Sequence, residues 1–593
     1  IFFLQNLIGH PHITFFSLIM VFWWIIGEIL FLYLKFGIVN KSLLYIYFNR
    51  TFIGVAIFLF FGLGLSAIQL IPTAEIGNIS SRSNYGRNYE WATKHSFYLK
   101  YLNCLFNPFC LGNPADGTFI TAKYYGIWWE NIMYIGLLPI ILVLLFLLIV
   151  FYRFLFILKR FYTTDGDLLR KKIIEINQSQ YFVFYFIITT FLFLNLMLGI
   201  DSVFYYLLYK ILPGMAYFRV PARFNLIVVM CLCVLSAVAL ETIVNYLKSK
   251  ISFFKEKFVP IIYILVIAIS TFDLNNFAYS YTGFYPVSDF IYKPKLLKYI
   301  NDENQEYRIY STSQYDKDPY LDSGWMGNQK KIVNFNESIP GNLNIASNLS
   351  SATDFGWQEG GLRYKEQVVF ENYILRFRNK EFQSDTEITS KLLGLWNVKH
   401  IISYWDMNNI GYKEIASVDG YSSESSRIFL YENLNVLPRV YFVDNIVKFN
   451  NSAEIYKQFD KGNIPSIDQV FVTDDVSAVK TSAKNNNVKI VVNEPKKVVM
   501  SVEVNDSAYL LFSDINYPGW EVYLDSKKGK IINGNLIQRL VLIPKGTKSI
   551  TWEYKPKSLY IGASISVSTA IIMLYLVLMQ NKKFKFEYKY DKS

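Results

Sequence analysis

Residues 559–579 read LYIGASISVSTAIIMLYLVLM, a stretch without a single Asp, Glu, Lys or Arg. Its length matches the roughly 20 apolar residues that a helix needs to cross a hydrocarbon core. A bilayer leaves exposed backbone polar groups unsatisfied in any other open form, so the stretch is predicted to be a membrane-spanning helix. Upstream of it lies a long polar region, residues 277–557, and before that come further apolar stretches at about 14–34, 52–71, 132–152, 181–198, 224–244 and 259–276. The expected architecture is a polytopic α-helical membrane protein whose polar domain is held between a multi-span region, 1–276, and a C-terminal transmembrane helix, 558–580.

Loop charge predicts the orientation, because short cytoplasmic loops collect Lys and Arg. Lys35, Lys41 and Arg50 follow the first stretch, and Arg153, Lys159, Arg160, Arg170, Lys171 and Lys172 follow the third. Lys248, Lys250, Lys255 and Lys257 follow the fifth, and a basic tail, 581–593, follows the last. All four segments agree on one orientation. It puts 277–557 outside a bacterial cytoplasmic membrane, together with the loops 72–131 and 199–223.

A hydrophobic fraction of 52% over 593 residues is high for a soluble protein of ordinary composition. The net charge of +12 follows from loop lysines and does not point to nucleic acid. Cys231 and Cys233 fall inside a span as small apolar fillers, while Cys104 and Cys110 share one outer loop, where a disulfide and two free thiols both remain open. No Cys/His set has zinc spacing and no glycine-rich phosphate loop is present. The chain begins at Ile1, and Phe2–Ile8 reads as the end of an earlier apolar or interfacial segment, so upstream spans are expected.

Within the polar region, Val488–Val492, Val498–Val504, Ala508–Ser513, Trp520–Leu524, Arg539–Ile543 and Ser549–Tyr554 are short β-branched and aromatic runs between turn residues. They predict a β-sandwich over 439–557. Residues 277–438 mix strands, such as Tyr307–Ser311 and His400–Ser403, with a helix at Asp385–Leu395, and predict an α+β module.

Several landmarks carry a family resemblance. Asn516-Tyr517-Pro518-Gly519-Trp520, followed by Arg539, Pro544-Lys545-Gly546 and Tyr554-Lys555-Pro556, resembles the C-terminal signature of bacterial YfhO-type membrane proteins. Gly9-His10-Pro11-His12 is similar to that family's GHPQ, and Gln69–Glu75 with Ser80 and Arg82 to its QLLPT-E…S-R. Phe218-Arg219-Val220-Pro221-Ala222-Arg223-Phe224 reproduces FRVPARF, and Leu392–Ile402 resembles LLNVKYII. The resemblance implies a GT-C-type membrane glycosyltransferase, which moves a sugar from a polyprenyl-phosphate carrier to an envelope polysaccharide or glycolipid acceptor. In that class the catalytic acid usually lies in a first outer loop near the N-terminus, a loop that this chain does not display.

Such a transfer needs a carboxylate to take the acceptor proton and a cation, or a divalent metal, to stabilise the departing phosphate. The candidate carboxylates are Glu75, Asp116, Glu130 and Asp201; the candidate cations are Arg82, Arg87, Arg219 and Arg223, with His10 nearby. Arg219 and Arg223 sit four apart at the start of a span, as a phosphate fork or as headgroup anchors. Glu75 has a structural alternative in pairing with Arg82. Trp520 is either a saccharide platform or a packed strand-edge residue. A non-catalytic lipid-carrier protein, flippase-like or an envelope-assembly scaffold, is the rival expectation to the enzyme.

Overall fold

The computed structural model describes residues 2–33, 41–81, 83, 88–119, 127–161, 178–250, 258–283, 293–300, 307–312, 324, 326, 335–352, 362–376, 386–404, 406–407, 411–419, 427–476 and 482–590. Among them six helices are long and apolar enough to cross a membrane: Pro11–Leu32, Tyr45–Ile79, Gln180–Met197, Pro221–Lys250, Val259–Tyr281 and Lys557–Gln580. A further helix, Leu137–Phe161, contains the shorter apolar stretch Leu137–Arg153. The chain is therefore a membrane-embedded helical protein carrying a sheet-rich region.

Several of the expected spans differ at their ends: the fifth runs on to Lys250, and the sixth, expected to stop at 276, runs on to Tyr281. The third was expected from residue 132, but its helix starts at Leu137, where the Asp273 carboxylate accepts the Leu137 amide at 2.7 Å. A carboxylate at a helix N-terminus satisfies an orphan donor and meets the positive end of the dipole. The second span runs on through Pro72 to Ile79. It packs along the last helix, with Gly64 against Thr569 and Gly562 against the backbone of Ala67 and Ile68. Small residues let two backbones approach in this way. The Ser566 hydroxyl bonds the Leu65 carbonyl at 2.9 Å across the seam.

The sheets follow the alternation of the polar region. β1 (Arg308–Ser311), β2 (Ser350–Ser351), β3 (Val398–Ser403), β4 (Tyr412–Asp419) and β5 (Arg427–Asn433) form a mixed sheet ordered β2-β1-β3-β5-β4. The remaining strands are β6 (Val440–Val443), β7 (Asn445–Lys448), β8 (Gln469–Val472), β9 (Asn487–Glu494), β10 (Lys497–Glu503), β11 (Ala508–Ile515), β12 (Trp520–Leu524), β13 (Lys527–Lys528), β14 (Ile532–Gly534), β15 (Gln538–Ile543) and β16 (Ser549–Tyr554). They form two sheets, β13-β12-β16-β10-β9 and β6-β11-β15-β14-β8-β7. Met500, Val522 and Trp552 of the first face Leu510, Phe512 and Val541 of the second across one core. That is a sandwich. A second core gathers Tyr310, Leu392, Ile401, Phe459, Phe471 and Ile537. It joins residues from both sides of Pro438.

A buried charge cluster crosses the same junction. Asp514 on β11 pairs with Arg308 on β1 and, at 3.4 Å, with Arg439 before β6. Arg539 on β15, 3% exposed, lies over the Trp520 ring at 3.8 Å and bonds the Ile515 carbonyl at 3.0 Å. Burial pushes the Asp514 carboxyl up, but Arg308, Arg439 and Arg539 together hold it down at about 2. Three guanidinium groups around one carboxylate explain that direction.

Gly519, in the turn before β12, has φ +104, and a Cβ there would sit 3.0 Å from the Tyr554 ring and 3.2 Å from the Pro556 backbone. A branched side chain would meet both the left-handed conformation and the neighbours. Gly519→Val in the full-length protein is expected to cost about 2 kcal/mol or more, read as a lower thermal midpoint. An unchanged midpoint would show that this turn relaxes freely.

Candidate functional site

The site grows from the turn that precedes the helix Asn225–Lys250. Val220 comes before Pro221, which disfavours the right-handed helical conformation, and it takes φ +68, ψ +67. A β-branched residue in that region is strained. Val220 is only 2% exposed, and its amide is held by the Lys94 carbonyl at 3.1 Å. Gly199 packs onto Pro221 so closely that a Cβ would lie 2.7 Å from the proline ring and 2.1 Å from the Ser96 hydroxyl. The strained turn is thus clamped by two loops, and it sends Arg219 and Arg223 in different directions.

Arg223 reaches Glu130. Its Nε lies 2.9 Å from both carboxylate oxygens, and Nη2 also donates to Oε1. Nη1 faces Nδ1 of His12 at 3.0 Å, while His12 Nε2 faces the Arg219 carbonyl at 3.0 Å. Arginine only donates and a carbonyl only accepts, which fixes the imidazole as the neutral tautomer with its hydrogen on Nε2. Asn225 donates to the carbonyls of Glu130 and Ile132 at 3.0 and 3.3 Å, tying the Trp128–Asn131 turn to the helix that Arg223 precedes. Three separate segments therefore fix one ion pair.

The pair lines a cavity of about 430 Å³ together with His10, Ile13, Trp129, Tyr134, Leu226, Val229 and Phe277. That volume is in the range of small-molecule sites, and the mixture of aromatic walls with a few polar groups is typical of them. Tyr134 donates to Asp273 at 2.7 Å, which fixes the phenol at the cavity edge. His95 lies in the same region: burial pushes its imidazole down, Arg219 and Lys94 add to that, Glu130 opposes it, and Arg223 adds again. The net effect favours the uncharged form of the ring.

The other expected site residues are elsewhere. The guanidinium of Arg219 lies over the Trp91 ring at 6.0 Å. Glu75 accepts from the Ser558 hydroxyl at 2.5 Å and so joins the second span to the start of the last helix. Asp116 accepts from the Thr118 amide and hydroxyl at 2.9 and 2.7 Å and lines a different cavity of about 460 Å³ with Phe109, Asn113 and Ser280. Asp201 sits on the Gly199–Asp201 turn near Tyr89, whose phenol is raised first by burial, then by Tyr206 and Asp201. Trp520, half-buried, has Arg539 against its ring and Tyr554 at 5.4 Å. Arg82 and Arg87 lie outside the described residues.

Three residues around the cavity were not singled out from sequence. His12 stood beside His10 with nothing to separate them, Asp273 stood inside an apolar stretch, and Asn225 looked like an ordinary helix start. Only the ionisable residue within a span was a readable signal. Cys104 and Cys110 form a disulfide in the loop that leads to the site.

Among the described residues no group of three or more His, Cys, Asp or Glu side chains converges to hold a metal ion. Glu130, with both oxygens on a guanidinium, does not fit a cation site, so no step below runs through one. No family model, no curated protein and no solved structure matches this chain.

Proposed function

We propose that the chain is a membrane glycosyltransferase that moves a sugar from a polyprenyl-phosphate carrier to an envelope saccharide or glycolipid. The observation that carries this reading is the Glu130–Arg223 pair in one partly apolar cavity at the end of the helix bundle. It puts a proton acceptor and a forked cation side by side. In the reaction, the bond between the sugar anomeric carbon and the phosphate oxygen breaks as the acceptor oxygen bonds to that carbon. Glu130 takes the acceptor proton, and the phosphate leaves with its electron pair onto Arg223. His12 holds Arg223 in place. Trp129, Tyr134 and Phe277 offer flat apolar faces for sugar or isoprenoid.

The likeness to YfhO-type proteins at Phe218–Phe224 supports the same reading, because that segment contributes Arg223 to the cavity. Charge supports the location. Lys41 and Arg50, Lys159 and Arg160, Lys248 and Lys250, and Lys582 and Lys583 all lie toward the helix ends opposite the site. By the positive-inside rule the cavity then opens on the outer face of the membrane, beside the sheet domain.

Glu130→Gln should lower sugar transfer by about 100-fold or more, with membrane insertion unchanged, measured with a sugar-labelled polyprenyl-phosphate donor. Transfer at the wild-type rate would remove Glu130 as the base. The non-catalytic carrier reading has one observation of its own: Arg223 already holds both Glu130 oxygens.

A further inference from the structure

Resting on the phosphate reading of this cavity, we propose that Glu130 occupies the place of the donor phosphate and that donor binding itself releases the base. Arg223 has five N–H donors. The Nε/Nη2 edge goes to Glu130 and one Nη1 hydrogen to His12, so the only paired edge shown in use is the one the carboxylate fills. A phosphodiester offers the same planar O–P–O geometry and the same single charge. Its arrival at that edge exchanges one anion for another, and Arg223 is never left as an uncompensated cation in a partly buried site. His12 stays in contact with Nη1 throughout as the pivot.

The exchange has a chemical consequence. With both oxygens on a guanidinium, Glu130 faces Arg223 rather than an incoming hydroxyl, and a carboxylate released only by the donor is available only when there is a sugar to transfer. An acceptor arriving first meets an occupied base. Water, for the same reason, meets no activated site before the donor phosphate is seated. The ligand class is a monoanionic phosphodiester with an apolar tail, matched by Ile13, Leu226, Val229 and Phe277 along the cavity wall.

A double-mutant cycle on binding tests this without any turnover. The probe is a long-chain alkyl phosphodiester, which carries one charge throughout the working pH range, titrated against full-length protein in detergent. Glu130→Gln is expected to tighten binding about tenfold or more relative to wild type, since the resident competitor for Arg223 is gone. In an Arg223→Ala background the same change should produce no tightening, because the competition runs through that guanidinium. The double variant removes both charges together and leaves no buried ion unpaired. Equal affinity of wild type and Glu130→Gln would overturn the exchange, as would tightening of the same size without Arg223, which would mean simple repulsion by Glu130. Wild-type and Glu130→Gln affinities that do not fall on removing Arg223 would sink the phosphate site itself, a different failure.

Discussion

Replacing Asp514 with asparagine is expected to destabilise the sheet region by about 3–5 kcal/mol, as removing one partner of a buried ion pair does. The substitution keeps the shape and removes the charge. Arg308, Arg439 and Arg539 then face one another with no anion among them, and Arg308 loses its carboxylate partner across the junction of the two cores. Thermal or urea unfolding of the full-length protein at neutral pH measures the deficit. The pH dependence has a definite sign. Asp514 is held at about 2 in the fold against about 3.9 for a free Asp, so its contribution is complete above about pH 4 and is lost as pH falls through 2. The gap between wild type and variant should narrow only in that window, by about 2.6 kcal/mol. A variant as stable as wild type at pH 7 would mean that the aromatic stacking of Arg539 on Trp520 satisfies the cluster alone.

Arg223→Lys should lower sugar transfer by about 100-fold or more, even though the charge survives. Arg223 uses three nitrogens at once, two on Glu130 and one on His12, and a lysine ammonium has a single nitrogen that cannot occupy both directions. The change therefore loosens the phosphate fork and the His12 contact together. Arg219→Lys is the control, since that guanidinium points over Trp91. Transfer rates compared at equal membrane insertion decide it. If both lysine variants work normally, the arginines are headgroup anchors.

The spans were readable because membrane-length apolar runs have few other outcomes, and the strands β9–β12, β15 and β16 because they are short β-branched and aromatic runs between turn residues, several in period-two alternation. The start of the Leu137 helix was not readable, since Asp273, distant in the chain, decides where it begins. Glu130 and Arg223 were recognisable singly as a carboxylate and a forked cation. Their pairing was not, because it depends on the left-handed turn at Val220, which no local propensity favours. Asp116 is a carboxylate of the right kind that Thr118 takes up locally, two residues on, and Glu75 is one that a distant partner, Ser558, takes up. The Asp514 cluster was invisible for the same reason: its members come from β1, the segment before β6, β11 and β15.

The most direct test of sugar transfer at the Glu130–Arg223 site uses purified full-length protein in liposomes, with a polyprenyl-phosphate donor labelled in its sugar and a second label in its lipid. The sugar label should move to the added saccharide or glycolipid acceptor while unglycosylated polyprenyl phosphate accumulates in equal amount, and Glu130→Gln should abolish both. Sugar label that stays on the lipid, whether or not it crosses the bilayer, would contradict transfer and leave a lipid-carrier binding protein.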